Sequence, residues 1–172
     1  GLGRNVHGIF VDRSKYAKHE DGFRIEQCQI ARFSGDGASL MCVWCFSVRH
    51  SMLAYNGGDG LNLRGWDGFL LDNWFSGNGR AGFAGRHENA SITFTGNRIE
   101  WNAEENMLVA GGDGYQITGN FFDRAGTCGL ALRKREKTPC TQITITGNFF
   151  KRSGKLLVAE SHDSTQVLLD GA

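Results

Sequence analysis

The sequence predicts an all-β solenoid, a coil of short parallel strands that returns about every 23 residues. Three observations carry this. The first is a phrase ending in Gly-Asn: Thr95-Gly96-Asn97, Thr118-Gly119-Asn120 and Thr146-Gly147-Asn148, with Asn73 in the same slot and Cys28 and Ser51 in two weaker copies. The steps from Cys28 through Ser51, Asn73, Asn97 and Asn120 to Asn148 are 23, 22, 24, 23 and 28 residues. A constant period of this size marks stacked supersecondary units. The second is a set of apolar columns at constant offsets from that slot. Three residues before it stand Ile25, Val48, Leu70, Phe94, Ile117 and Ile145; two after it stand Ile30, Leu53, Phe75, Ile99, Phe122 and Phe150. Eight residues further on come Ala38, Leu61, Phe83, Met107, Leu130 and Val158. The third is the alternation inside each unit, as in Ile143-Thr144-Ile145, which is strand-like and not helical.

Each element of a coil follows from these columns. Three short strands point their column residues inward, because strand side chains alternate between faces. Glycine is 25 of 172 residues and proline 1, and the Gly-Asn and Asp-Gly pairs fall between strands, where corners need positive φ. A column of Asn at one corner can pair backbone groups there, each amide bonding to the next coil. About seven coils spaced by about 4.8 Å would make a rod about 30 Å long.

Bulk properties bound the function. The periodicity runs through residues 1–172 without a linker, which predicts a single domain. A formal net charge of +1 gives no bias towards polyanions, so no nucleic-acid partner is expected. No stretch is long and apolar enough to span a membrane. The chain enters a solenoid strand at Gly8-Ile9-Phe10-Val11 and ends in another at Gln166-Val167-Leu168-Leu169-Asp170, and neither end reads as a cap, which predicts a segment of a longer chain.

The run Ile-x-Ile-x-Gly-Asn-x-Phe, a loop, then Gly-Leu-Ala-Leu resembles the right-handed parallel β-helix proteins of the pectin-lyase-like superfamily, over about residues 22–170. That group includes polysaccharide lyases, glycoside hydrolases and phage tailspikes. The resemblance implies a right-handed parallel β-helix acting on an extracellular polysaccharide, by hydrolysis or β-elimination, in an extracellular or virion-associated setting. The alternative to that favoured activity is non-enzymatic: a structural or glycan-binding shaft of a homotrimeric tailspike, an adhesin or a secreted repeat protein. No catalytic signature of one member is present. The polygalacturonase pattern and a convincing pectate-lyase set of calcium carboxylates are both missing, so no cofactor is expected; calcium is the one that the resemblance leaves open, without a residue set to support it. Gly111-Gly112-Asp113-Gly114 does not recur every nine residues and is no calcium-binding β-roll.

Candidate site residues come from the columns beside the third apolar column. Two positions before it the outward slots read Asp36, Asp59, Ala81, Glu105, Cys128 and Leu156, with His7 one coil earlier. Asp36 and Asp59 fall in consecutive coils. Stacked carboxylates raise one pKa, as acid/base or nucleophile pairs in glycosidases do; as Asp-Gly corners they could equally cap turns. Three positions after the column stand Arg64 and Arg86, two guanidiniums suited to an acidic sugar, with Glu88 or Asp67 as their counter-ions in a purely structural reading. Asn62 can bond a hydroxyl, Trp66 can stack on a sugar ring, and His87 is a reserve base.

Two features read more plainly. Cys42-Val43-Trp44-Cys45 lacks the second pair that a zinc site needs, and Cys28 is expected in the core. Trp74, Arg98, Phe121 and Phe149 make an outward row, either a seam against another segment or subunit or a sugar platform.

Overall fold

The computed structural model describes residues 3–153 and 166–170, and among them every regular element is a β-strand. All strand pairs are parallel, and each strand pairs with its counterpart one coil away. Each coil contributes three strand segments. The first sheet holds Ile9–Val11, the leading halves of Ala38–Arg49 and Leu61–Leu71, then Phe83–Gly85, Met107–Ala110, Leu130–Arg133 and Val167–Asp170. The second holds Arg24–Glu26, the trailing halves of the same two long strands, then Asn89–Thr95, Asp113–Thr118 and Thr144–Thr146. The third runs Gln29–Ala31, Met52–Ala54, Trp74–Ser76, Arg98–Glu100, Phe121–Asp123 and Phe149–Lys151. Because Ala38–Arg49 and Leu61–Leu71 bend without breaking, the first two sheets form one hydrogen-bonded surface. The second and third sheets each have six strands, five steps from first to last, so the solenoid makes about five turns where about seven coils are expected from the sequence.

The apolar columns lie in register as read. Ile25, Val48, Leu70, Phe94 and Ile117 stack in the second sheet and are buried, as are Leu53, Phe75, Ile99 and Phe122 in the third. In the first sheet Ala38, Leu61, Phe83, Met107 and Leu130 are fully buried. Its next partner is Val167, paired with Leu130, where the constant offset predicts Val158; Val158, like Leu156, lies outside the described residues. The period lengthens after Leu130, so a count by constant offset slips. Aromatic rings fill the interior, with Phe83 against Phe94 at 5.4 Å between centroids and against Tyr115 at 6.4 Å. Tyr115 is fully buried and donates its hydroxyl to Asn89 Oδ1 at 2.6 Å; that burial pushes its pKa well up.

Corners are built from left-handed residues. Between the first and second sheets these are Cys45, Asp67, Ser91, Gly114 and Gln142; between the second and third, Gln27, His50, Asp72, Gly96, Gly119 and Gly147; after the third, Arg32, Tyr55, Gly77, Trp101, Arg124 and Arg152. Each non-glycine residue there costs about 1–2 kcal/mol of backbone strain. The corner amides offset this by continuing the ladder: His50 N–H to Leu71 O at 3.1 Å, Asp72 N–H to Thr95 O at 3.1 Å, Gly96 N–H to Thr118 O at 3.2 Å.

An asparagine ladder runs beside the second-to-third corner. Asn73 Nδ2 donates to Asn97 Oδ1 at 3.0 Å, Asn97 Nδ2 to Asn120 Oδ1 at 3.0 Å, and Asn120 Nδ2 to Asn148 Oδ1 at 2.9 Å. The same oxygens take the backbone N–H of the preceding rung, and the amides also donate to Val48 O, Leu70 O and Phe94 O. Ser51 and Cys28 continue the slot with shorter side chains: Ser51 N–H donates to Asn73 Oδ1, and Cys28 N–H to Ser51 Oγ. Cys28 is exposed, not part of the core as expected, because it stands at the end of the ladder. A second ladder, Asn56, Asn78 and Asn102, lines the corner from the third sheet to the first, with amide contacts of 3.0 and 2.9 Å.

Asn97→Ala would leave Asn73 N–H and one hydrogen of Asn73 Nδ2 without their acceptor, and Leu70 O without the Asn97 amide, in a buried corner, so urea unfolding should show a loss of about 3 kcal/mol. Asn148→Ala, at a half-buried end of the ladder, should cost about 1 kcal/mol.

Candidate functional site

Asp36 and Asp59 precede first-sheet strands in consecutive coils, as the spacing predicts, but they do not face solvent. Both are buried, Asp59 completely. The period-two alternation that would point them outward begins only with the strand, and these residues stand in the turn before it. Asp36 Oδ1 accepts the N–H of Asp59 at 2.8 Å, and Asp59 Oδ1 accepts that of Ala81 at 2.9 Å. Asp36 N–H in turn donates to His7 Nδ1 at 2.9 Å, which assigns the ring proton to Nε2 in the neutral histidine. This is a third corner ladder, made by acids.

Asp59 is also clasped from above. Arg86 donates from Nε and Nη2 to its two oxygens at 3.1 and 2.9 Å, and Nη2 also reaches Glu104 at 3.0 Å; Arg80 lies 3.7 Å away. Asn62 Nδ2 sits 3.5 Å from Asp36 Oδ2, a weak contact. Arg64 donates from Nε to Glu88 at 2.6 Å. The structure thus brings Asp36, Asp59, Asn62 and Arg86 together, and gives each arginine of the expected anion clamp a carboxylate partner. His87 is exposed between them, and its carbonyl accepts from the Asn89 amide.

Trp66 belongs to a different constellation. Trp44 and Trp66 are in register on neighbouring strands, and Trp44 Nε1 donates to Asp67 Oδ2 at 2.6 Å. Tyr16 meets Trp66 edge-on, with centroids 3.9 Å apart. Together with Ala17 these residues frame a cleft of about 220 Å³. Burial pushes the Tyr16 hydroxyl pKa up, so it is a neutral donor at physiological pH. The segment carrying Tyr16 is held down by Arg13 and Asp21, whose side chains form a fork of 2.7 and 2.8 Å, while Asp21 also accepts Trp44 N–H at 2.7 Å.

Past Asp67 a second cleft of about 370 Å³ opens over the second sheet, lined by Arg24, Glu26, Arg49, Asp67 and Phe69. Arg49 lies over the Phe69 ring at 5.6 Å. Sequence reasoning singles out none of Tyr16, Arg24, Arg49 and Phe69 as site residues, and meets Trp44 only inside the Cys42–Cys45 motif. The signal was available for Trp44, which stands 22 residues, one period, before Trp66.

The cysteines take no part in this chemistry. All five are free; Cys42 and Cys45 sit at the bend of Ala38–Arg49, beside a register shift between Met41 and Val43. Burial raises the Cys45 and Cys128 thiols, keeping them protonated and unreactive at neutral pH. Among the described residues no group of three or more His, Cys, Asp or Glu could hold a metal ion, and no helix is long and apolar enough to cross a membrane.

The coil architecture agrees with one family comparison. Residues 4–150 match the family model for the right handed beta helix region. The chain belongs to the right-handed β-helix family. No curated protein matches it. Among solved structures, it is weakly similar to HetL, a pentapeptide repeat protein involved in heterocyst differentiation regulation from the cyanobacterium Nostoc sp. strain PCC 7120. The two are 11% identical over 87% of this chain and 88% of that one, with a TM-score of 0.18. This β-helix therefore takes its functional reading from its own side chains.

Asp59→Ala should lower stability by about 3 kcal/mol in urea unfolding, since it takes both Asp59 oxygens from Arg86, leaving that guanidinium only Glu104, and leaves the buried Ala81 N–H without an acceptor. A pH effect follows from Asp21. The Arg13 fork, helped by Trp44 N–H, holds its carboxyl below the usual carboxylate range. A lowered folded pKa means its stabilisation is complete above the unfolded value of about 3.9 and is lost as pH falls through the folded value. The urea midpoint should therefore fall less steeply below about pH 4 in Asp21→Asn than in the parent.

Proposed function

We propose that this β-helix binds an extracellular polysaccharide in the groove formed by the two joined clefts over its early coils. The observation that carries the reading is the in-register pair Trp44 and Trp66, with Asp67 at the point where the clefts meet. Indole rings offer apolar surface to the C–H faces of a sugar, the Tyr16 ring braces Trp66, and Asp67 supplies an acceptor for the sugar's hydroxyls. Arg24 and Arg49 give the far end of the groove cationic donors for an acidic sugar. Kinship with the pectin-lyase-like enzymes belongs to the same reading.

Binding is favoured over cleavage by the state of the acids. A general acid or nucleophile has to reach the glycosidic bond. Asp59 is enclosed by Arg86 and the Ala81 N–H, and Asp36 is bonded to the next coil. Asp36, Asp59 and His87 as catalytic groups, with Arg64, Arg86 and Asn62 as the substrate clamp, therefore make the second form of the proposal. A non-enzymatic shaft is the remaining reading, favoured by exposed Trp74 and Phe149 on the third sheet, 43% and 52% accessible; a monomer in light scattering would remove its trimeric form.

Affinity electrophoresis through gels containing acidic or neutral polysaccharides tests the groove. Trp66→Ala and Trp44→Ala should each weaken retention by about tenfold. Equal retention of both variants and parent would sink the groove reading. Reducing ends and the ultraviolet absorbance of unsaturated products, followed in the same mixtures, should stay at background. Turnover abolished by Asp36→Asn or Asp59→Asn would establish the catalytic form instead.

A further inference from the structure

The outward column of the third sheet reads Gln29, Met52, Trp74, Arg98, Phe121 and Phe149, one residue per coil. From Trp74 onward each flat group covers the next. Arg98 lies over the Trp74 ring at 5.8 Å and over the Phe121 ring at 4.3 Å, and Phe121 stacks on Phe149 at 4.9 Å with 14° between planes. Rings stacked along the axis turn their faces to one another and only their edges to solvent. The stack breaks at one step. Past Trp74 the column drops to Met52 and Gln29, which carry no ring, and Trp74 lines a cleft of about 460 Å³ together with them. The indole is pinned there, since Nε1 donates to Glu100 at 3.0 Å.

The wall of this cleft comes from the second-to-third corner. Gln27, His50 and Asp72 occupy its left-handed position in three consecutive coils, where the next three coils use Gly96, Gly119 and Gly147. The corner needs only a left-handed residue, as those glycines demonstrate. The side chains of His50 and Asp72 are 62% and 60% exposed and meet only loosely, at 3.7 Å. They thus carry backbone strain without an evident structural return, and all three line the cleft beneath Trp74.

We propose that this cleft is a second saccharide site, separate from the groove over the second sheet, and that it takes a neutral pyranose. Trp74 supplies the ring platform, Asp72 accepts from vicinal hydroxyls, and Gln27 and Gln29 each offer a donor and an acceptor. The charge pattern sets the class. Asp72 repels an anionic sugar, and Arg98 over the indole opposes a cationic ligand. A purely apolar ligand would leave Asp72 and both glutamines unpaired.

Calorimetric titration with neutral pentasaccharides of glucose, mannose, galactose and N-acetylglucosamine tests the site on the intact chain. One of the four should bind saturably. Asp72→Gly should weaken that binding by about tenfold or more, with Tm at or above that of the parent because glycine suits the corner. Trp74→Ala should weaken it similarly, and Trp66→Ala should leave it unchanged. No binding by any of the four overturns the proposal, as does binding that survives Asp72→Gly. Loss on Trp66→Ala alone would also overturn it by assigning the ligand to the groove.

Discussion

Pairing of backbone N–H groups from coil to coil at the corners is the constraint on which the rest of this molecule depends. Strand segments pair themselves, but a corner takes its amides out of the sheet plane, and three corners recur in every coil. The chain meets the problem twice over. Left-handed residues keep the corner amide aimed at the next coil. Side chains of Asn, Ser and Asp then accept the amides that follow. Each ladder repeats at the coil spacing, so its bonds polarise along the axis and act together.

That constraint sorts residues by place. Inward strand positions are apolar and carry the burial that drives folding. Corner positions are polar and often buried, which is why acids near a strand end were drawn into backbone capping. Outward strand positions are free of both duties and collect aromatic and cationic groups: Trp44 with Trp66, Arg49 over Phe69, and Arg98 between Trp74 and Phe121. Recognition surfaces are thus expected on the outer strand faces and on corner side chains with no capping task. The acidic corner ladder fits this division, since Asp36 and Asp59 are held by amides and Arg86 holds Asp59 in turn.

The early coils differ from the later ones in how they turn the first corner. Ala38–Arg49 and Leu61–Leu71 bend in one continuous strand, while later coils break there. The segment before Arg24 lies against the outside of that bend, tied by the Arg13 and Asp21 fork, and brings Tyr16 to Trp66. A packed segment over a continuous bend makes a cleft where a bare solenoid face would be nearly flat.

How far the sequence reaches follows from the range of the forces involved. Column identity repeats at a constant offset, so the solenoid, its inward residues and its Gly-Asn corner ladder can be read directly, down to which residues stack. Reading by offset slips where the period changes, as with Val158 and Val167. The Asn56, Asn78 and Asn102 ladder has the same 22- and 24-residue spacing and was equally open to reading. Charge partners were not. Whether Asp59 faces solvent or an amide, and whether Arg86 is an open clamp or a clasp, depends on a backbone amide 22 residues away and a side chain 27 residues away converging in the turn. Periodicity in the sequence thus determined the architecture by itself. Only the tertiary structure decided which polar side chains are spent on corners and which remain for a ligand, because that turns on directional contacts between coils that no single-strand pattern records.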